Sequence, residues 1–128
     1  MTPDELATRL RGDPALRHVR LLVLHGSRAR GEAGPRSDWD LGYLADPGAD
    51  LDALAVAITS TLRSDRVDLV DLATASALLR YRTARDGVAL LEREPNTFLR
   101  FRLEVTQFWC DVEAVVRAAH DDVLRALA

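Results

Sequence analysis

The chain contains 128 residues, of which 48% are hydrophobic and 29% are charged, a balance that is typical of one globular domain and excludes a disordered chain. The formal net charge is −3 and every basic residue is an arginine, so neither general attraction to nucleic acid nor lysine-dependent Schiff-base or P-loop chemistry is expected. One cysteine, Cys110, excludes an internal disulfide. No apolar run approaches the roughly 20 residues that cross a bilayer, and the N-terminus lacks the order of a secretory signal, so we expect a cytoplasmic protein without membrane contact.

The first two elements have clear local signals. Thr2 and Glu5 have the spacing of a capping box, and Pro3 occupies the first helical position, which together predict a helix at the N-terminus. Residues 19–24 are apolar apart from Arg20 and are followed closely by Gly26, a pattern that predicts a buried strand.

The rest of the pattern alternates strands and helices. A loop rich in glycine and arginine leads to an alternating strand around residues 39–43, and a turn follows at 46–48. Later elements are predicted in this order: a helix over 50–63, a strand over 67–72, a helix over 76–86 closed by Gly87, a strand over 88–91, and a long helix after Pro95. This order predicts a mixed α/β (α+β) fold with helices on one face of a short sheet, while connection lengths leave strand order open.

The segment 24–31, Leu-His-Gly-Ser-Arg-Ala-Arg-Gly, has the properties of a phosphate site. A strand that ends in Gly26-Ser27 and turns at once into a short helix presents unpaired backbone N–H groups to an anion. Gly26 permits close approach, the Ser27 hydroxyl adds a donor, and Arg28 and Arg30 bring forked positive charge, although both arginines are also compatible with ordinary loop charges.

Two carboxylates follow this loop. Asp38 and Asp40 lie two residues apart on the predicted strand, so their side chains point from one face while Trp39 points into the core. Paired carboxylates that stay ionised near neutral pH need a cation, and hard oxygen ligands favour Mg²⁺ or Mn²⁺. A phosphate cradle beside a divalent-metal site predicts metal-assisted nucleotidyl transfer.

These two pieces resemble a known family. Gly-Ser, ten residues and Asp-x-Asp are similar to the signature of the polymerase-β-like nucleotidyltransferases, and the tighter resemblance is to the minimal nucleotidyltransferases (MNT), with G-S-x-A-x-G over 26–31 and S-D-x-D-L over 37–41. The resemblance extends over almost the whole chain and is strongest to MNT antitoxins encoded beside HEPN-domain toxins. It implies the polymerase-β-like nucleotidyltransferase fold and an enzyme that adds AMP to a tyrosine of the toxin.

The resemblance also implies roles for individual residues. Gly26 and Ser27, with Arg28 and Arg30, are implied to hold the triphosphate of ATP, the usual donor of the family. Asp38 and Asp40 are implied to bind two Mg²⁺ ions, with Mn²⁺ as an alternative. His25 stands where the family usually has an aromatic residue; a structural role is expected for it, with an approach to the bound nucleotide as the alternative.

The third family carboxylate has two candidates. Asp68 and Asp71 are separated by an odd number of residues, so in a regular strand they face opposite sides and only one can join the site. We prefer Asp68, which is central in its strand and is implied to share metal binding and to help deprotonate the acceptor hydroxyl. Asp71 remains the alternative.

We expect a single domain over 1–128, with a catalytic core over 1–94 and a C-terminal helical segment over 95–128. The expected partner is a HEPN-domain toxin, and direct nucleic-acid binding is not expected. Two other functions remain open: an antitoxin that neutralises its toxin by binding alone, and a small-molecule nucleotidyltransferase of the antibiotic-resistance type.

The C-terminal helix carries a repeated apolar pattern. Seven residues at alternating spacings of three and four form a stripe (Phe98, Phe101, Val105, Phe108, Val112, Val115 and Ala119), and further apolar residues lie off it. We expect the stripe to cover the domain's own sheet, with a partner surface as the alternative. A break is expected at Asp121-Asp122. Cys110 is expected to be buried and inert, and His18 and His120 are expected at the surface.

Overall fold

The structure, a computed structural model, describes residues 1–128. Its elements are helix α1 (Pro3–Leu10), a 3₁₀ turn (Pro14–Leu16), strand β1 (Val19–His25), helix α2 (Gly26–Ala29), strand β2 (Trp39–Ala45), helix α3 (Leu51–Leu62), strand β3 (Val67–Asp71), helix α4 (Ala77–Asp86), strand β4 (Val88–Glu92) and helix α5 (Thr97–Leu127). Each predicted helix and strand is present within a few residues of its expected bounds. None of the helices combines the length and apolarity that crossing a bilayer requires.

Local capping explains where the helices start. The Thr2 hydroxyl accepts the Glu5 N–H at 3.1 Å while the Glu5 carboxylate accepts the Thr2 N–H at 2.8 Å, which confirms the capping box. Asp50 and Ser76 cap α3 and α4 without a reciprocal partner: the side-chain oxygen of each accepts the backbone N–H three residues later. Each cap contributes about 1 kcal/mol by satisfying a backbone donor that the helix leaves unpaired.

The sheet has four strands in the order β3-β2-β1-β4. Strand β1 runs antiparallel to both β2 and β4, whereas β2 and β3 are parallel and are connected through α3. The register places His25 opposite Asp40, and Asp40 opposite Asp68. Three chemically active side chains therefore lie in one row across three strands.

Helices cover both faces of the sheet, so the expectation of a single covered face was wrong. Leu22 and Leu24 of β1 pack with α1 and α3, while Leu21 and Val23 pack with α4 and α5. Residues 21–24 of β1 are all apolar and buried, and an uninterrupted apolar run of this kind buries both sides of a strand. The α4 side of the sheet also contains His25, Asp40 and Asp68.

Helix α5 has 31 residues and extends beyond the sheet that it covers. Only Phe98, Phe101 and Val105 are buried, and every residue from Cys110 onward is exposed. The stripe thus covers the domain's own core over its first part alone. The helix continues through Asp121-Asp122, so the expected break is absent, and an Asp122–Arg125 ion pair of 2.6 Å spans one turn there.

The thiol of Cys110 is exposed, which corrects the expectation of a buried cysteine. The apolar neighbours Phe108 and Trp109 suggested burial, but they lie where α5 leaves the domain, and Phe108 is itself 53% exposed. Trp109 stacks on Tyr81 of α4 at 5.0 Å between ring centroids and forms the last contact of this kind along the helix. His18 and His120 lie at the surface, as expected.

Candidate active site

The chain makes an abrupt turn at the end of β1. Gly26 has φ +70°, a left-handed conformation that glycine adopts without a steric penalty. A Cβ at this position would lie 2.2 Å from Oδ2 of Asp40, so only glycine leaves room for this carboxylate. The turn therefore brings the backbone at the start of α2 directly against an acidic side chain.

Asp40 and Asp68 are direct neighbours in the parallel pairing of β2 and β3, and both line the same cavity. Asp71 pairs with Tyr43, three positions along the strand, on the opposite side of the sheet. Its carboxylate accepts the Ala73 N–H at 2.9 Å, so it shapes the turn after β3. The structure therefore places Asp68, the preferred candidate, beside Asp40 and places Asp71 away from it.

Asp38 immediately precedes β2, with its side chain exposed. It lines a neighbouring open cavity together with Asp68, and Asp68 borders both this cavity and the one lined by Asp40. The carboxylates of Asp38 and Asp40 are close enough for the charge of one to affect the other. Asp68 thus shares one cavity with each aspartate of the Asp-x-Asp motif.

The cavity at the ends of β1, β2 and β3 has a volume of about 270 Å³. Helix α4 forms its far wall with Leu79, Arg82 and Asp86, which share one helical face. The complete lining is His25, Gly26, Arg30, Asp40, Asp68, Leu79, Arg82 and Asp86.

Burial raises the pKa of the Asp40 carboxyl above its ordinary value, and the negative charges of Asp68 and Asp38 raise it further. His25 and Arg30 partly oppose this rise. The physical cause is a half-buried carboxylate with like charges beside it, and a cation at this position would relieve the repulsion. The electrostatics therefore fit a site that binds a positive ion.

His25 is 8% exposed, and its Nε2 atom is buried without a hydrogen-bond partner. Burial lowers the pKa of the imidazole, while the charges of Asp40 and Asp68 act in the opposite direction. His25 lies opposite Asp40 in the sheet, and its side chain lines the cavity. The expected structural role is consistent with this burial.

Arg28 lies in α2 and Arg30 directly follows it, but their surroundings differ. The Arg28 guanidinium donates to the Ser37 carbonyl from Nε at 3.1 Å and from a terminal nitrogen at 2.7 Å, and it lies 4.3 Å from the Trp39 ring centroid. Arg30 is exposed, forms a 3.0 Å ion pair with Glu32 and lines the cavity. Arg28 therefore fixes the loop before β2, whereas Arg30 faces the site.

Of the residues selected from the sequence, the cavity brings together Gly26, Arg30, Asp40 and Asp68. Ser27, Arg28 and Asp38 lie next to it and do not line it. Sequence reasoning missed the α4 wall. The spacing of Arg82 and Asp86 is compatible with one helical face, but the sequence did not indicate which face of α4 meets the strand ends.

The donor set fits a hard divalent cation, since Asp38, Asp40 and Asp68 offer carboxylate oxygens alone. No three acidic, histidine or cysteine side chains are grouped closely enough in this structure to hold a metal ion by themselves, so bound phosphates and water would have to supply further ligands. Open coordination of this kind is usual for Mg²⁺ at nucleotide sites, where substrate phosphates and water complete the shell.

Comparison with known proteins defines the class. Residues 14–96 match the family described as polymerase beta, nucleotidyltransferase. The matched range contains every strand and all residues that line the cavity. The chain belongs to this family and is a nucleotidyltransferase. The match confirms the fold class and the enzyme class that the sequence predicted.

Within this family, the chain is similar to a protein named MntA and to chains of toxin–antitoxin complexes. The chain is 32% identical over 100 residues to the protein adenylyltransferase MntA of Aphanizomenon flos-aquae (strain 2012/KM1/D3), covering 69% of this chain and 67% of that protein. It is similar to a chain of a toxin–antitoxin crystal structure with AMP-PNP, at 27% identity and a TM-score of 0.71 over 97% of this chain and 99% of that one. It is also similar to a chain in the complex of tri-AMPylated Shewanella oneidensis HEPN toxin with MNT antitoxin, at 28% identity and a TM-score of 0.63 over 95% of each chain.

Proposed function

We propose that this nucleotidyltransferase is a metal-dependent antitoxin of the cytoplasm that transfers AMP from ATP to a tyrosine of a HEPN-domain toxin. The observation that carries the proposal is the cavity in which Asp40 and Asp68 face the Gly26 turn. Relatives that share this fold are an adenylyltransferase and chains of toxin–antitoxin complexes, one with AMP-PNP and one with an AMPylated toxin. The expected division into a core over 1–94 and a helical segment over 95–128 remains part of the proposal.

In this proposal the acidic residues and the turn have separate tasks. Asp38, Asp40 and Asp68 hold Mg²⁺, which when bound neutralises charge on the phosphates and polarises the α-phosphorus. The backbone donors at Gly26 and the Arg30 guanidinium hold the phosphates, with the Ser27 hydroxyl as a further donor. Arg28 acts indirectly, since it is bonded to the Ser37 carbonyl next to Asp38.

The reaction forms a bond between the tyrosine oxygen and the α-phosphorus, and it breaks the bond between that phosphorus and the oxygen leading to the β-phosphate. Pyrophosphate carries away the electron pair of the broken bond. The tyrosine proton passes to a carboxylate of the site, and Asp68 is suitable because it is the exposed member of the Asp40–Asp68 pair. The chain contains no lysine that could accept this proton or bind the phosphates.

The exposed part of α5 supports binding to a partner. Phe108, Val112 and Val115 continue the buried stripe of Phe98, Phe101 and Val105, yet they are 53%, 38% and 69% exposed. Apolar stripes on projecting helices are typical of protein interfaces. We assign this surface to the toxin, because the toxin–antitoxin chain with AMP-PNP matches 97% of this chain.

Labelled ATP provides the direct test. The protein is incubated with Mg²⁺, ATP labelled at the α-phosphate and the product of the adjacent gene as the candidate HEPN-domain toxin, and the modified residue is located by mass spectrometry. We expect label on a tyrosine, and none after EDTA treatment. Absence of transfer from all four common nucleoside triphosphates would refute the catalytic proposal.

Neutralisation by binding alone is the second candidate function. No residue of α5 lines the cavity, so binding and catalysis can be tested separately. The double variant Asp38→Asn with Asp40→Asn removes two carboxylates and leaves α5 unchanged. If catalysis is required, cells that express the toxin with this variant stop growing although complex formation is retained. Full protection by the variant at unchanged expression would instead establish sequestration.

A further inference from the structure

Helix α4 presents a cationic side chain to the cavity opposite the carboxylates. Leu79, Arg82 and Asp86 occupy positions i, i+3 and i+7 and therefore share the helical face that meets the strand ends. Asp40 and Asp68 form the facing wall. The cavity thus has an acidic side on the sheet and an arginine on the helix.

Arg82 differs from the other arginines of α4 because its guanidinium contacts no partner side chain in the structure. The Arg85 guanidinium binds the Asp86 carboxylate through two contacts, of 3.0 and 2.8 Å. Arg80 lies 5.8 Å from the centroid of the Phe101 ring. Arg82 takes part in no salt bridge or side-chain hydrogen bond, although its charge helps to lower the pKa of Asp86, for which Arg85 is the main cause.

Charge identifies the kind of ligand that suits this wall. Asp86 forms its ion pair with Arg85, so Arg82 has no acidic side chain as a partner. Arg30 directly follows α2 and lines the same cavity as Arg82, and its charge also acts on Asp86. Two planar, forked guanidinium groups that line one cavity match the multiply charged oxygens of phosphates.

The size of the cavity favours a phosphate chain over a complete nucleotide. Its volume of about 270 Å³ lies just under the usual range of roughly 300–1,000 Å³ for small-molecule sites. The lining contains no aromatic ring on which a base would stack, apart from the buried His25 imidazole. The enclosed part of the site therefore suits the phosphates, and the nucleoside extends outside it.

We propose that Arg82, together with Arg30, clamps the β- and γ-phosphates of the nucleoside triphosphate and so holds the pyrophosphate that leaves. This inference rests on the proposed nucleotidyl transfer and adds a residue from α4 to the site. The α-phosphate, which reacts, then lies towards Asp40 and Asp68. Arg82 selects triphosphates over monophosphates, because only the former reach the α4 wall.

Equilibrium binding without an acceptor tests this role separately from turnover. Affinities for ATP and AMP are measured by calorimetry with Mg²⁺ for the wild type, Arg82→Ala, Arg82→Gln, Arg82→Lys and Arg9→Ala. Arg9 is an exposed arginine of α1 on the other face of the sheet and serves as the matched control. Thermal melting of each variant checks that it is folded.

We expect Arg82→Ala and Arg82→Gln to weaken ATP binding about tenfold or more while AMP binding changes less than about twofold, since a charge-assisted contact to the terminal phosphates is lost. Arg82→Lys restores part of the preference because it keeps charge without the fork. Arg9→Ala matches the wild type. An unchanged ratio of ATP to AMP affinity in the Arg82 variants, or an equal loss for both nucleotides, overturns the clamp. A wild type that binds no ATP overturns the proposed function as well.

Discussion

Asp40 and Asp68 lie directly beside each other on the parallel strands β2 and β3, although 28 positions separate them in the chain. Both side chains line one cavity, and the proximity of Asp68 adds to the burial that raises the pKa of Asp40. The fold thus holds two like charges together without a permanent positive partner. Such an arrangement lowers the stability of the free protein and favours the binding of a cation.

Carboxylate substitutions separate the two candidates for the third acidic residue. We expect Asp40→Asn and Asp68→Asn each to reduce AMP transfer at least about a hundredfold, because an amide cannot replace an anionic ligand of a divalent ion. Asp71→Asn keeps an oxygen for the Ala73 N–H, lies on the other face and retains near wild-type activity. Initial rates with labelled ATP measure all three, and a severe loss in Asp71→Asn alone would exchange the assignments.

The raised pKa of Asp40 predicts a pH-dependent effect on stability. A carboxyl whose pKa is higher in the folded than in the unfolded state favours folding when protonated, and this contribution disappears as the pH rises through the folded-state pKa. At pH 7 and without metal, Asp40→Asn should therefore melt at a higher temperature than the wild type. The difference should shrink as the pH approaches about 4. Calorimetric melts in EDTA measure it, and a variant less stable than the wild type at pH 7 contradicts the prediction.

Gly26→Ala tests the close approach of the turn to Asp40. The substitution forces an L side chain into φ +70°, at a cost of about 1–3 kcal/mol, and places Cβ against Oδ2 of Asp40. We expect this stability loss together with at least a tenfold loss of transfer.

Gly31→Ala is the matched control for this variant. Gly31 has φ +73°, and a Cβ there meets no atom within 4 Å. It should show a similar fall in melting temperature with activity largely retained. Equal activity losses in the two variants would show that backbone strain, and not the contact with Asp40, is responsible.

Arg28 and Arg30 should respond differently to truncation. Arg28→Ala removes two hydrogen bonds to the Ser37 carbonyl and the contact with Trp39, and should lower the free energy of unfolding by about 1–3 kcal/mol. Arg30→Ala removes only an exposed pair with Glu32, worth less than about 1 kcal/mol. We expect it to weaken ATP binding instead. Urea unfolding and calorimetry distinguish the two effects, and the opposite pattern would reverse the roles.

A charge placed on the α5 stripe should disrupt partner binding without affecting the fold. Val115 is 69% exposed, so Val115→Asp should leave the melting temperature within about 2 °C of the wild type and weaken HEPN-toxin binding at least tenfold. Thr106→Asp places the same charge on the opposite face of the helix and serves as the control. Surface plasmon resonance measures both variants. Unimpaired binding by Val115→Asp would place the interface elsewhere.

Sequence patterns predicted the elements and the part of the cavity formed by the strands and the turn after β1, because these signals are local. The capping box at Thr2 and Glu5 acts over three residues, and the apolar run of β1 indicates its own burial. Gly26 and Asp40 belong to motifs close together in the chain, so the residue types and their spacing were enough to indicate their chemistry. Asp68 and Asp71 are separated by an odd number of residues, and a regular strand places such residues on opposite faces. The sequence therefore indicated that only one of them could join the site.

Other features depend on contacts between distant segments. The parallel pairing of β2 with β3 decides that Asp68, and not Asp71, faces Asp40, and connection lengths permitted several pairings. Packing of α4 on the sheet brings Arg82 to the cavity, and the end of the sheet decides where α5 becomes exposed. Local residue types thus determined the secondary structure and the kind of chemistry, because these depend on neighbours in the chain. Tertiary structure decided which charges meet, because strand order and helix docking depend on the packing of the whole molecule.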